Sequence, residues 1–508
     1  VTLSTSSSWL DRYDSLATIE VGSPFARWSN RALIFFLALF SLSVPHSIAA
    51  AQISLGLSFI AWIVRDFSLR KFHFKRTPID LPLFCFVVLT LISSVFSVEP
   101  SISMPKLKSL LLFGVIYLIA TNLRWRGAQL MVAVMIVSSL VGVGFSLSEK
   151  IWGRGMIITS IAADSPLAES KLLPGDVIWM IARQRVYSLE KAAYVIRKSR
   201  SGEVVDIEAL HAGDPVPVKL RITDELKARS NPLGINVDGR SRQFRISGFS
   251  RQFQTYAEQM QILALLAYGG LLTSLRYWQR RSLRVWLGIF CLLFAVFGLA
   301  LALTASRAVI AAFVMTVLVV SIFTGGRLAP LFALMTALAL GVLGFYATST
   351  ARKQATLSLN DDSSVRRIAY MQAGLRVIPK RPLLGVGMDS HKRHWQEWGF
   401  PGVYITHTHS TPIQIAMDRG LPALGCYFWL IAAMTLTAWR GYGQAKESTD
   451  DFGQSLMLGV FGAIIGFSVS SLANYNFGDS EALMLLLSMV GLALVYYLGR
   501  SRKADEKS

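Results

Sequence analysis

The chain is poor in charge and poor in cysteine. Of its 508 residues only 16% are Asp, Glu, Lys or Arg, while 53% are hydrophobic. That balance leaves too little polar surface to clothe the three or four soluble domains such a length would otherwise suggest, and it places most of the chain in lipid. The three cysteines, Cys85, Cys291 and Cys426, each fall inside an apolar run, which excludes a disulfide framework and a cysteine-based metal site. Acidic residues number 31 against 51 Lys and Arg. The basic excess falls in short clusters between apolar runs, so it reads as membrane orientation, and a nucleic-acid partner is not expected. The centres of the runs are nearly free of charge, which sets aside a transporter built on paired ionisable groups at mid-membrane. The first run lacks a small-residue cleavage site and is followed by others, so a retained helix is expected there and not a removed signal peptide.

What is present is a repeated apolar pattern. Runs near 32–45, 47–64, 81–97, 109–122, 128–147, 258–275, 285–303, 308–323, 329–348, 420–438, 455–472 and 481–499 predict a polytopic α-helical membrane protein of about 12 transmembrane helices. Pro45 and His46 interrupt the first pair, whose outer flanks are both basic: Arg27 and Arg31 before, Arg65 to Arg76 after. A hairpin with both flanks in the cytoplasm satisfies the charge rule. The same alternation puts both termini in the cytoplasm and turns two long segments, about 149–255 and 349–418, outward.

Residues 150–224 break the hydropathy with a β-rich pattern: an alternating strand over Met156–Ile161, a turn at Pro174-Gly175-Asp176, a helix over Leu189–Lys198, and strands near 204–210 and 217–222. The order of these elements and the string from Ser165-Pro166 to Pro174-Gly175-Asp176 resemble a PDZ domain of the kind found in bacterial periplasmic proteins. The resemblance implies that a protein C-terminus or strand adds to a sheet edge, with main-chain amides of the loop Trp152, Gly153, Arg154, Gly155 and Met156 receiving a carboxylate. A bare spacer between two halves of the membrane part is the other reading.

Four of the seven histidines, His391, His394, His407 and His409, cluster in the second outward segment. Around them stand Pro382-Leu383-Leu384-Gly385-Val386-Gly387, Thr406-His407-Thr408-His409-Ser410 and Gly420-Leu421-Pro422. His409, Ser410, nine residues and then Gly420 match the pattern of the O-antigen ligase and polymerase family, although Ala423 stands where that pattern has Gly, Thr or Tyr. Arg245 to Phe249, Leu303 to Arg307, and the stretch with Arg366, Arg367 and Tyr370 are similar to further family segments. The resemblance implies a GT-C-like glycosyltransferase of the bacterial cell inner membrane. It would move a glycan from undecaprenyl diphosphate to a hydroxyl on a glycan, lipid A core or protein acceptor, without metal or other cofactor.

Physical chemistry supports the roles. A leaving diphosphate needs cationic forks, for which Arg245, Arg307 and Arg366 or Arg367 are the candidates. A hydroxyl needs a base, for which His409 is the candidate, with His407 beside it if the segment is extended. His391 and His394, near Asp389, have metal-ligand spacing on a helix, but no further carboxylate or Cys accompanies them. The expected organisation is a membrane part over 1–148, a periplasmic PDZ-like domain over 149–225, a periplasmic linker over 226–257, spans six to nine over 258–348, a periplasmic catalytic loop over 349–419, and the last three spans with a cytoplasmic tail over 420–508. A non-catalytic scaffold or sensor that recruits peptide is the alternative from another class.

Overall fold

The computed structural model describes residues 9–19, 22–211, 214–250, 252–324, 329–352, 362–402 and 407–505. Of the expected catalytic loop, 353–361 and 403–406, which include Thr406, lie outside the described residues. The apolar runs appear in order as long helices: Pro24–Ser43, Ile48–Ser68, Asp80–Val95, Met104–Phe113 leading into Gly114–Asn122, Trp125–Trp152, Phe253–Arg276, Arg281–Leu303, Arg307–Thr324, Ala329–Arg352, Leu421–Glu447, Asp451–Ser470 and Ser480–Asp505. Among the described residues eight of these stretches are long and apolar enough to cross a membrane, and Asp80–Val95 and Ala333–Ser349 are apolar but shorter. Pro24–Ser43 and Phe253–Arg276 carry more polar residues and bury them in the protein. Asn30, for example, accepts a hydrogen bond of 2.9 Å from the buried Arg65, as a polar group at membrane depth requires.

The break at Pro45 and His46 is a true hairpin. Pro45 cannot continue the helix hydrogen-bond ladder, and Ser47 starts the next helix by accepting the Ala50 amide at 3.3 Å. His46 Nε2 and the Ser138 hydroxyl meet at 2.7 Å, which gives the polar turn a partner on the fifth long helix.

The centre of the bundle is Phe253–Arg276 packed on Asp451–Ser470, both buried along most of their length. Small residues make the approach possible. A side chain at Gly269 or Gly459 would overlap the backbone of the opposite helix, so dispersion between closely approaching backbones replaces the water-driven force that lipid does not supply. Gly459→Val should therefore abolish folding, read as loss of the monodisperse peak when the detergent-solubilised protein is run on a sizing column.

The inserted module is a six-stranded antiparallel sheet of β1 (Met156–Ile161), β2 (Val177–Ile181), β3 (Gln184–Arg185), β4 (Val204–His211), β5 (Asp214–Arg221) and β6 (Ile235–Val237), with order β5-β4-β2-β1-β6 and β3 hairpinned onto β2. The helix Leu189–Lys198 packs Ala192, Val195 and Ile196 into the same core as Met156, Ile158, Leu233 and Ile235. The sheet thus extends beyond residue 225, because the segment expected as a linker supplies β6.

That strand corrects the expected peptide loop. β1 is paired on both sides, with β2 and with β6, so no free edge adjoins Trp152, Gly153, Arg154, Gly155 and Met156. Trp152 is the last residue of its helix, the Gly153 amide closes that helix on Glu149 O at 2.8 Å, and the Arg154 amide donates to Ser241 O at 2.7 Å. The space beside Gly155 is filled by Val177, Ile178 and Trp179. The Gly153 and Arg154 amides are thus committed within the fold.

Arg154 instead ties the sheet to the membrane part. Its guanidinium, 3% exposed, donates to Glu149 at 2.6 and 3.2 Å and lies 4.1 Å over the Phe244 ring. Arg185 shares Glu149 and donates to Gly248 O at 2.7 Å. Removing one partner strands a buried charge, at a cost of about 3–5 kcal/mol. Arg154→Met should lower the unfolding temperature by several degrees in a thermal melt, although the variant keeps comparable volume.

Candidate functional site

The segments picked out by sequence converge at one end of the bundle. The stretch Pro382 to Gly387 lies against the end of the helix Thr411–Arg419: Val386 N donates to Met417 O at 2.9 Å, Gly387 N to Asp418 O at 2.9 Å, and Leu421 N to Pro382 O at 2.8 Å. Gly385 (φ 68°) and Gly420 (φ 87°) sit where the two backbones touch. Any side chain on either would overlap main-chain atoms of the other segment. The loop from Arg245 reaches the end of Arg281–Leu303 through Ile246 N to Leu303 O at 3.3 Å.

The histidine turn is built by short-range bonds. Thr408 N donates to Gln414 Oε1 at 2.8 Å and Thr408 Oγ1 to Ser410 O at 3.2 Å. His409 takes a left-handed conformation, φ 57°, uncommon for a residue with a side chain and a sign that its surroundings fix it. Its amide donates to His407 Nδ1 at 3.2 Å, so neutral His407 carries its proton on Nε2. The two rings meet edge-to-face at 4.4 Å, and Tyr370 lies 5.9 Å from His409.

Both imidazoles line a cavity of about 490 Å³. Burial drives the His407 pKa down to about 4, with the charges of His391 and Arg367 adding to it. Burial likewise brings His409 to about 3, assisted by His407 and Arg367. Each ring is therefore neutral across the physiological range, the form that accepts a proton. The Nδ1 atom of His409 is shielded and without a hydrogen-bond partner.

The four expected arginines do not line this cavity. Arg245 is buried over the ring of Phe253 at 4.4 Å, one residue from the cavity-lining Gln252 and Gln254. Arg307 donates to Ser364 at 3.3 Å, on the helix Asp362–Val377 that carries Arg366 and Arg367. Arg367 reaches Asn474 Oδ1 at 3.4 Å and is felt at both imidazoles, whereas Arg366 is exposed and acts on Tyr370. Arg367 is the nearer of that pair to the histidines.

The cavity wall holds groups that sequence reasoning passed over: Lys106, Lys108, Lys392, Arg419, Asp418 and Glu258. Asp418 and Arg419 hide in the nine-residue spacer of the histidine pattern. Lys106 and Lys108 sit on the 3₁₀ segment Met104–Phe113 that leads into the fourth long helix. Burial raises the Asp418 carboxyl to about 7 against the pull of Arg419. Glu258, in the second turn of the helix Phe253–Arg276, accepts from Ser470 at 2.8 Å and Asn474 at 3.4 Å.

His391 and His394 diverge. His391 is buried, its Nδ1 3.8 Å from Asp418, while His394 faces Glu397 at 2.6 Å and Glu99 at 3.1 Å. Among the described residues no three His, Cys, Asp or Glu side chains come together as a metal site.

A helical membrane chain with an extramembrane sheet and a histidine cavity at one end defines the class. Residues 292–428 match the family model for O-antigen ligase, and residues 139–222 match the PDZ domain. The chain thus contains a region similar to the O-antigen ligase family with a PDZ match ahead of it, and the match supports a glycosyltransferase-type function at the level of the family. The matched region spans His407, His409, Arg307, Arg366 and Arg367. No curated protein matches the chain.

The titration of the histidines has a defined sign. Their folded pKa values lie below the ordinary 6.5, so the unfolded chain binds protons first and the stability they contribute is present above pH 6.5 and lost as pH falls toward 4 and 3. Unfolding temperatures measured from pH 7 to 4 should decline less steeply in the double variant His407→Asn, His409→Asn than in the parent.

Proposed function

We propose that the chain is an extracytoplasmic glycosyltransferase, moving a glycan from undecaprenyl diphosphate to an acceptor hydroxyl at the cavity of His407 and His409. The observation that carries this reading is His409, a neutral imidazole held by its backbone at the wall of a cavity large enough for sugar and phosphate groups. The acceptor oxygen attacks the anomeric carbon, the bond from that carbon to the diphosphate oxygen breaks, and the hydroxyl proton passes to His409. With Nδ1 shielded, Nε2 is the atom left to receive it. His407 orients the turn. The leaving diphosphate carries away the bonding pair, and the side-chain cations around the cavity supply the charge that stabilises it, so the reading calls on no metal. Arg367, Arg245 and Arg307 join the loops and helices that frame this end of the bundle, and they are the family's candidates for the diphosphate clamp.

The low pKa of His409 fits a base that is switched on by its substrate. A weakly basic imidazole gains proton affinity when an anion enters beside it. The PDZ domain adds a second role, recruitment of a protein acceptor or export partner, with the outer edge of β6 as the place for an added strand because it ends the sheet.

Replacing His409 with Ala should reduce glycan transfer at least about a hundredfold, the usual worth of a general base, in an assay of purified protein with lipid-linked oligosaccharide. Full transfer by that variant refutes the assignment. His407→Ala should cost less. Surface glycans after loss of the protein separate the acceptor types: long chains left on the carrier indicate ligation, and single repeat units indicate polymerisation.

A further inference from the structure

We propose that Arg419, with Lys106, Lys108 and Lys392, forms a phosphate-binding wall of the cavity, distinct from the four arginines outside it. The inference deepens the glycosyl-transfer reading and rests on it for the identity of the substrate.

Arg419 ends the helix Thr411–Arg419 and is 4% exposed. Its Nε and Nη1 atoms have no hydrogen-bond partner, while Nη2 donates to the Met388 sulfur at 3.0 Å, the Tyr475 hydroxyl lies beside the guanidinium and the Phe86 ring is 5.8 Å away. Thioether sulfur is a weak acceptor, so a planar cation with five donors sits buried at a cavity wall with Nε and Nη1 unserved. Such a group is costly unless an anion completes it. Its sequence neighbour does not: Asp418 turns toward Gln414 at 3.0 Å, and burial raises its carboxyl to about 7. The Tyr475 hydroxyl, pushed up to about 12 by burial beside Arg419, stays a neutral donor on the same wall.

The lysines extend the field. Lys106 and Lys392 both reach Asp389 at 2.6 Å, two ammonium groups on one carboxylate, which leaves a net positive charge. Burial pushes the Asp389 carboxyl up, but the two lysines outweigh it and hold it below the ordinary range. Lys108 stands two residues from Lys106 on the 3₁₀ segment Met104–Phe113 and also lines the cavity. Glu258 and Asp479 line it too, on elements that carry none of these four cations. Asp389 and Asp418 line the cavity beside the cations, and with Glu258 and Asp479 on other elements and histidines in the lining it offers a substrate's phosphate and sugar hydroxyls opposite partners. The fork of an arginine fits two oxygens of one phosphate.

Phosphate reaches such a wall either on the lipid diphosphate donor or on a phosphorylated acceptor sugar. Calorimetric titration of the full detergent-solubilised chain with farnesyl diphosphate and with glucosamine 6-phosphate distinguishes them. Arg419→Gln should weaken binding of one probe by at least about tenfold, the worth of charge-assisted hydrogen bonds, with partial recovery in Arg419→Lys. Loss confined to farnesyl diphosphate assigns the wall to the donor, and loss confined to the sugar phosphate assigns it to the acceptor. Unchanged affinity for both overturns the proposal. If Arg419→Gln does not fold, K108Q and K392Q on the open side decide it: each should weaken binding about threefold, and wild-type affinity in both overturns it as well. His409→Ala should keep full binding while losing transfer. A parent protein that binds through Arg419 but transfers no glycan refutes the enzymatic reading and leaves the wall standing.

Discussion

The site depends on one contact between backbones. Gly385 and Gly420 let the segment from Pro382 and the end of the helix Thr411–Arg419 touch main chain to main chain, with three hydrogen bonds across the seam. Everything around the cavity inherits its position from that seam. The helix it anchors begins one residue after the turn that holds His409, and ends on Asp418 and Arg419. Met388, Asp389 and Lys392 follow on the other strand of the same contact. A side chain inserted there would displace the base and the cationic wall together.

Much of this was legible in the sequence, and for identifiable reasons. The helices follow from apolar runs long enough to leave few alternatives, and Pro45 marks the hairpin because proline cannot stay inside a helix. The strand Met156–Ile161 and the helix Leu189–Lys198 have ends that agree with the sequence reading residue for residue. The histidine pair and the glycine ten positions beyond Ser410 were visible because their spacing resembles the family pattern, and Gly420 sits where two backbones touch. What stayed hidden was contact at long sequence range. β6 is three residues long, too short for periodicity to register, yet it occupies the edge on which the expected peptide loop depended. Lys106 lies 283 positions before Asp389, and no local pattern joins them.

The cavity also shows how charges near the membrane surface divide between frame and lining. Arg245, Arg307 and Arg367, the candidates for a cationic clamp, join the frame through carbonyls, rings and hydroxyls. Arg419 was not among them, since it sits inside a spacer whose composition the pattern leaves open. Burial converts that indifference into consequence. An exposed arginine at this position would be solvated, whereas a buried one whose Nε and Nη1 find no partner leaves those donors idle.

The junction of Glu149, Arg154 and Arg185 makes the PDZ sheet and the Arg245 to Gly248 segment one mechanical piece. Arg154 reaches the carbonyl of Arg245 at 3.4 Å and Arg185 that of Gly248 at 2.7 Å. Cutting the domain out would unseal a buried carboxylate and two carbonyls beside a stretch that frames the cavity. A truncated chain would then report the injury at that cut surface before it reported the loss of any recruited partner, and grafting a foreign PDZ domain would require carrying both arginines with it.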